Sequence, residues 1–301
     1  MDSESGPSEF RWQYSNASFL ITCHDQELVE IISRLFSRSP WNHEFPVDLC
    51  EPFETSWHIS GSSDSWRIQE QHSSHNSAEF SDHNDCLHYL EYQVCGKIIR
   101  ASPKALPIHA ALLRDKNENG ILLIGKSGAG KSTLTVKLWE SGFDILGDDR
   151  CLVLGETTPL IAAPLLRRVS LRSSTFEALS PLSLNAIRAS SLYAKQLVQK
   201  EVRHLFQPSE IRSPTSDSPT ADINAVFLLD PEKRNDSKAS KLDPQEALLQ
   251  IIRSTARLSD VPPSSTVASI LDLTSKAPVY SIPRRSLSSM SSTILNLIRS
   301  A

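Results

Sequence analysis

The sequence predicts an α/β protein in two parts, a smaller N-terminal α/β part over residues 1–104 and a larger α/β domain over 105–301. Three observations predict it. Between about residues 108 and 155, continuously apolar runs of strand length alternate with helix-forming sequence, as expected for strands covered on both faces. Glycine is scarce, 10 of 301 residues, yet seven of the ten lie between Gly120 and Gly155, so one region has strong backbone requirements. The texture changes near residue 102, where SPKALP interrupts a helical pattern.

A chain of 301 residues is long enough for about two domains and a sizeable core without disulfides or structural metal. A net charge of −4 and a pI near 6.1 argue against a general nucleic-acid or anionic-membrane binder. There is no run of 18 apolar residues for a transmembrane helix. The start, MDSESGPSEF, has neither the basic nor the apolar region of a secretory signal. The five cysteines are odd in number and scattered, which suits reduced cytosolic thiols. A cytoplasmic location is expected.

Residues 1–16 read as a frayed terminus. ASFLITC (17–23) has strand length, and DQELVEIISRLF (25–36) is an amphipathic helix with Asp25 as its N-cap. WHIS and SWRIQ look like short strands, and the polar stretch 71–85 reads as a loop. A helix over Cys86–Ile99 follows. IHAALL (108–113), ILLIG (121–125), a helix from Lys131 to about Ser141, FDILGDD (143–149) and CLVLG (151–155) make a strand–helix–strand alternation. Beyond them come PLLRRVSLR (164–172), a helical patch near 186–204, the strand AVFLLD (225–230), the helix PQEALLQIIRST (244–255) and a last helix near 288–299. Segments 207–221 and 231–244 are Pro-, Ser- and charge-rich loops.

Gly125-Lys126-Ser127-Gly128-Ala129-Gly130-Lys131-Ser132 matches the phosphate-binding pattern GxxxxGK[ST] at every required position, with Thr133 next. An apolar strand leads in and a helix leads out. Such a loop turns consecutive N–H groups towards nucleotide phosphates, which calls for glycine where φ is positive. The helix N-terminus adds partial positive charge. Lys131 can reach the β- and γ-phosphates and Ser132 can ligate Mg²⁺. ATP and Mg²⁺ are the expected cofactors.

Phosphoryl transfer also uses a metal-side carboxylate and a base for the attacking hydroxyl. Asp148 and Asp149 stand where the FDIL strand should end, 17 and 18 residues past Lys131. One could hold Mg²⁺ and its neighbour take a proton. With His109 in IHAALL, 22 residues before Lys131, and Gly142 before the aspartates, this set resembles the catalytic domain of HPr kinase/phosphorylase and related kinases. The resemblance spans about 106–155. It implies the P-loop fold shared with ATP-dependent phosphoenolpyruvate carboxykinase and transfer to a serine hydroxyl of a protein or peptide. It further implies that Asp149 accepts the proton, with Asp148 the next candidate for that role, and that His109 is an active-site residue; from the residues themselves, Asp148 is the expected Mg²⁺ carboxylate beside Ser132.

The glycine-rich, glutamate-containing segment that follows the aspartates in HPr kinase/phosphorylases is not visible here. Phosphorylase activity and HPr as substrate are therefore not expected, and Glu156 or Glu177 are the candidates for a metal glutamate. Alternatives to the serine kinase are a small-molecule kinase or carboxykinase-like enzyme, and a nucleotide-gated regulatory module with little turnover. Arg167, Arg168 and Arg172 form a basic cluster past the aspartates that reads as a solvated edge or an anion contact. Lys195, Lys200 and Arg203 read as a solvated helix face. His72, His75, His83, Cys86, His88 and Cys95 lack zinc spacing. Trp41, Trp57 and Trp66 read as packing residues. Residues 1–104 carry no recognisable chemistry, and acceptor recognition or homo-oligomer contacts are their expected roles.

Overall fold

The computed structural model describes residues 6–36, 42, 44–62, 65–71, 77–155, 157–166, 168–196, 202–230, 238–255 and 263–300. Trp41, His72, His75, Glu156, Arg167 and Lys200 lie outside them. The protein is a mixed α/β protein that divides into two compact units, residues 1–102 and 103–301.

The N-terminal unit holds β1 (Ser8–Tyr14), β2 (Ala17–Cys23), α1 (Gln26–Phe36), β3 (Phe53–Ser62), β4 (Ser65–Glu70), β5 (Ser77–Phe80) and α2 (His83–Arg100). The strands form one sheet in chain order. Asp25 caps α1 by accepting the Leu28 N–H at 2.8 Å. Two expectations are corrected. Residues 8–14 are a strand rather than a frayed end, and 77–80 form an edge strand within the stretch read as loop. In β1, Trp12 and Tyr14 face the core while Glu9, Arg11 and Gln13 face out, which is the alternation of a half-buried strand. Trp12 stacks on Phe19 and Phe36, so the aromatic residues form this unit's core. Trp57 and Trp66 are buried packing residues.

The C-terminal unit begins with β6 (Ala105–Ile108), β7 (Ala110–Arg114), β8 (Asn119–Gly125), α3 (Lys131–Glu140), β9 (Asp144–Gly147), β10 (Cys151–Leu154), β11 (Ile161–Pro164) and β12 (Val169–Arg172). After a 3-10 turn come α4 (Pro181–Ala189), β13 (Ser191–Gln196), β14 (Val202–Phe206), α5 (Pro208–Ile211), β15 (Ala221–Asp230) and β16 (Ser240–Lys241). The chain ends with α6 (Pro244–Thr255), α7 (Pro263–Lys276), β17 (Val279–Pro283) and α8 (Leu287–Ser300). The central sheet runs β6-β10-β11-β15-β8-β7-β9, with β17 and then β16 attached through β15. The sheet is mixed: β8, β15 and β17 are parallel, but β7 runs against both β8 and β9. Two expectations change here. IHAALL is interrupted at His109, between β6 and β7. The helical patch at 186–204 is the end of α4 followed by a β-hairpin, which pairs with β12 in a three-stranded sheet. The helix starts earlier because Ser180 caps it and Pro181 occupies its first turn.

Both faces of the central sheet are covered, which explains the unbroken apolar strands. Ile121 and Leu123 of β8 pack with Leu134 and Leu138 of α3 and with Met290 and Ile294 of α8. Leu122 and Ile124 pack with Ala247 and Ile251 of α6 and with Ile270 and Leu273 of α7. The five cysteines are buried and form no disulfide. Among the described residues, no helix is long and apolar enough to cross a membrane.

A buried polar cluster holds the start of β9. Asp144, 4% exposed, accepts the N–H and Oγ1–H of Thr215 at 2.7 and 2.6 Å. The Arg114 and Arg212 guanidinium groups approach it at 3.9 Å each. Arg114 is wholly buried and donates to the Ser216, Ser218 and Thr220 carbonyls. Removing the carboxylate leaves this buried cation with only the exposed Glu118, 3.7 Å away, as an acidic partner, and takes the acceptor from the Thr215 N–H and hydroxyl. We therefore expect Asp144→Ala to lower unfolding free energy by about 3–5 kcal/mol, read as a lower urea midpoint. An unchanged midpoint would contradict a stabilising role for this cluster.

Candidate active site

The loop between β8 and α3 turns through two glycines in the left-handed region, Gly128 at φ +83° and Gly130 at φ +88°. An L side chain there costs roughly 1–2 kcal/mol, so both positions call for glycine. Gly130 is also the N-cap of α3, and no side chain caps this end. The first helical bond is Leu134 N–H to the Gly130 carbonyl. The amides of Lys131, Ser132 and Thr133 precede it, and their partial positive charge faces the loop. Lys126 and Ser127 are exposed at the loop's turn, Gly125 closes β8, and Ala129 is half-buried. The Thr133 side chain is buried in the helix's first turn, so only its amide is on offer to a ligand.

The strand registers bring the other residues to this edge. Ala110 pairs with Ile124, so His109 follows on opposite Gly125. Leu112 pairs with both Leu122 and Gly147, so Asp148 and Asp149, the next two residues, climb towards the same level. The Lys131 side chain is buried, and its Nζ donates to the Asp148 backbone carbonyl at 3.0 Å.

The two aspartates have opposite environments. Asp148 is 2% exposed. Burial pushes its carboxyl above the usual range, against the Lys131 ammonium and the Ser132 hydroxyl, which favour the charged form. Its Oδ2 accepts the Ser170 N–H at 3.5 Å. Its Oδ1 has no hydrogen-bond partner among the described residues. Asp149 is the accessible one, its side chain 42% exposed, with Oδ1 3.2 Å from His109 Nδ1 and Oδ2 3.9 Å from Arg150 Nε. Burial acts to raise its carboxyl too, but His109, Lys131 and Arg168 outweigh it and hold Asp149 well below the usual carboxylate range.

This donor set fits Mg²⁺. An orphaned carboxylate oxygen beside a serine hydroxyl is a hard oxygen pair, and Mg²⁺ takes one or two protein oxygens, completing its shell with waters and phosphates. No group of three or more His, Cys, Asp or Glu residues able to hold a metal occurs among the described residues. Glu177 is exposed on the 3-10 turn.

Of the basic cluster, Arg168 is buried and acts on Asp149, whereas Arg172 is exposed at the end of β12. Two contributors escaped sequence reasoning. Arg150 directly follows the aspartate pair and reaches Asp149, and adjacency was the available signal. The Ser170 amide reaches Asp148 through tertiary folding, which leaves no local trace.

No protein-family model matches the chain, and no curated protein matches it in sequence. Among solved structures the chain is distantly similar to the Hpr(Ser) kinase/phosphatase from Coxiella burnetii. The identity is 11% and the TM-score 0.35, over 64% of this chain and 97% of that chain.

Proposed function

We propose that the chain is an ATP-dependent kinase that transfers the γ-phosphoryl group to a hydroxyl, with a serine of a protein or peptide as acceptor. The finer fold assignment, a P-loop domain of the HPr kinase and phosphoenolpyruvate carboxykinase type, belongs to this proposal and rests on the motif set around Gly125–Ser132, Asp148, Asp149 and His109. The observation that carries the function is the unlike pair of aspartates beside the loop. One is buried against Lys131 and Ser132 with an oxygen to spare, and the other is accessible and paired with His109.

In this proposal the loop amides and Lys131 bind the phosphates, and Lys131 exchanges its bond to the Asp148 carbonyl for one to phosphate oxygens. Ser132 and Asp148 would hold Mg²⁺, which neutralises charge on the β- and γ-phosphates when bound. Asp149 orients the acceptor hydroxyl and takes its proton. The acceptor oxygen bonds to the γ-phosphorus as the bond to the β-phosphate oxygen breaks, and ADP leaves. His109 keeps Asp149 ionised and aimed. Arg168 and Arg150 add positive charge where the transferring group is negative.

The test is incubation with Mg²⁺ and γ-labelled ATP plus candidate proteins and serine peptides, beside a Lys131→Ala control. Label on serine, lost in the control, is the expected outcome. Label on a small metabolite would redirect the acceptor class. Nucleotide binding without transfer to any acceptor would make the chain a nucleotide-gated module, and absence of ATP binding would overturn all of these.

A further inference from the structure

Gly125, Leu229 and Ile282 lie in one row across three parallel strands, because Leu229 pairs with both neighbours. Pro283 lies one step beyond, opposite Asp230. The end of β17 therefore opens on the same sheet edge as the phosphate loop, two strands or about 10 Å from it. On the other side of β8, also two strands away, β9 delivers Asp148 and Asp149. The loop sits midway between the aspartates and the end of β17.

A cavity of about 160 Å³ lies at the end of β17, lined by Lys238, Ala239, Ile282, Pro283, Arg285, Met290 and Thr293. Ile282, Pro283 and Met290 are buried and apolar, while Lys238 and Arg285 are exposed cations beside them. Met290 shares a packed cluster with Leu134 and Leu138 of α3. The cavity is thereby tied to the helix whose N-terminus faces the loop.

We propose that this cavity takes the base of the nucleotide whose phosphates lie on the Gly125–Ser132 loop. The inference rests on the kinase proposal, and it adds which way the nucleotide lies. Transfer needs the γ-phosphorus beside Asp149, on the β9 side. The nucleoside leaves the opposite end of the triphosphate and so heads towards β15 and β17. Whole-ligand pockets run to roughly 300–1,000 Å³, so this cavity suits one ring system and not a second ligand. Its chemistry suits a base. Met sulfur packs well against aromatic rings, and Lys or Arg is attracted to a π-face.

Calorimetric titration of the full chain with ATP and with inorganic tripolyphosphate, both with Mg²⁺, separates the base from the phosphates. The wild type should bind ATP more tightly. Thr293→Trp, which fills the cavity, should weaken ATP about tenfold, towards the tripolyphosphate value, and leave tripolyphosphate unchanged. Arg285→Ala should weaken ATP several-fold in the same selective way. Should Thr293→Trp lose tripolyphosphate too, the fold is disturbed and Arg285→Ala decides. An unchanged ATP-to-tripolyphosphate ratio in Arg285→Ala overturns the proposal, even if acceptor labelling changes. Equal wild-type affinity for the two ligands also overturns it while leaving the phosphate loop intact. Binding of neither ligand overturns the phosphate-loop assignment itself and this inference with it.

Discussion

Asp149→Asn is expected to lower phosphoryl transfer by about 10²–10⁴-fold, the usual worth of a positioned base, with little change in ATP affinity. The expected split follows from where Asp149 stands. Its side chain is 42% exposed and pairs with His109 at 3.2 Å, so it faces the acceptor side. The phosphate contacts assigned to Lys131 and the loop amides do not pass through it. Asn keeps the shape and can still hydrogen-bond the imidazole, so the fold should hold. What it loses is the ability to take a proton and the negative charge that pairs with Lys131, Arg150 and Arg168. Because His109, Lys131 and Arg168 hold this carboxyl below its usual range, Asp149 stays ionised throughout the neutral region, and its own titration should not limit transfer there. His109→Gln removes the largest of those stabilising contacts. Its Asp149 should titrate closer to the ordinary aspartate value of about 3.9, and turnover should fall less than in Asp149→Asn. Transfer by Asp149→Asn within a few-fold of wild type would remove Asp149 from the proton step. A matching loss of ATP affinity would place it on the nucleotide instead.

The local part of the site was legible in the sequence because strand, glycine loop and helix are contiguous, and each imposes its own residue types. Gly128 and Gly130 occupy positive φ, and the apolar run at 121–124 is unbroken because helices cover both faces of β8. The spacing of Asp148 and Asp149 signalled chemistry but not which carboxylate is buried. That difference comes from β7 lying between β8 and β9, and from Ser170 and Arg168 folding back on the pair. None of these is near the aspartates by periodicity. The same limit applied to the fold. β14 takes its pairing with β12 from sequence some thirty residues away, with β13 on its other side, and a helical reading of 186–204 contains no hint of it. β1 was obscured by its polar outer face, Glu9, Arg11 and Gln13, although Trp12 and Tyr14 already showed the strand's period of two.

Asp148→Asn should separate stability from metal use. A carboxylate 2% exposed costs free energy to keep ionised, and burial pushes its carboxyl upward despite Lys131 and Ser132. The neutral amide removes that cost and can still accept the Ser170 N–H, so the unfolding midpoint of the ligand-free protein should stay the same or rise. The backbone carbonyl that receives Lys131 Nζ is unchanged by the substitution, and Asp149 still supplies negative charge nearby. Metal-assisted binding should behave in the opposite way. Asp148 Oδ1 is the oxygen without a hydrogen-bond partner among the described residues, and an amide is a far poorer Mg²⁺ donor than a carboxylate. Outer ligands that only orient a metal cost about 10–100-fold when lost, so loss of a direct one should weaken the Mg²⁺ dependence of ATP binding by at least about that much. Mg²⁺-free nucleotide binding, governed by the loop and Lys131, should persist. Thermal unfolding of the ligand-free variant and ATP titrations with and without Mg²⁺ measure the two sides. If Asp148→Asn melts well below wild type, the carboxylate is a structural partner of Lys131. If it keeps the full Mg²⁺ enhancement, the metal is held elsewhere.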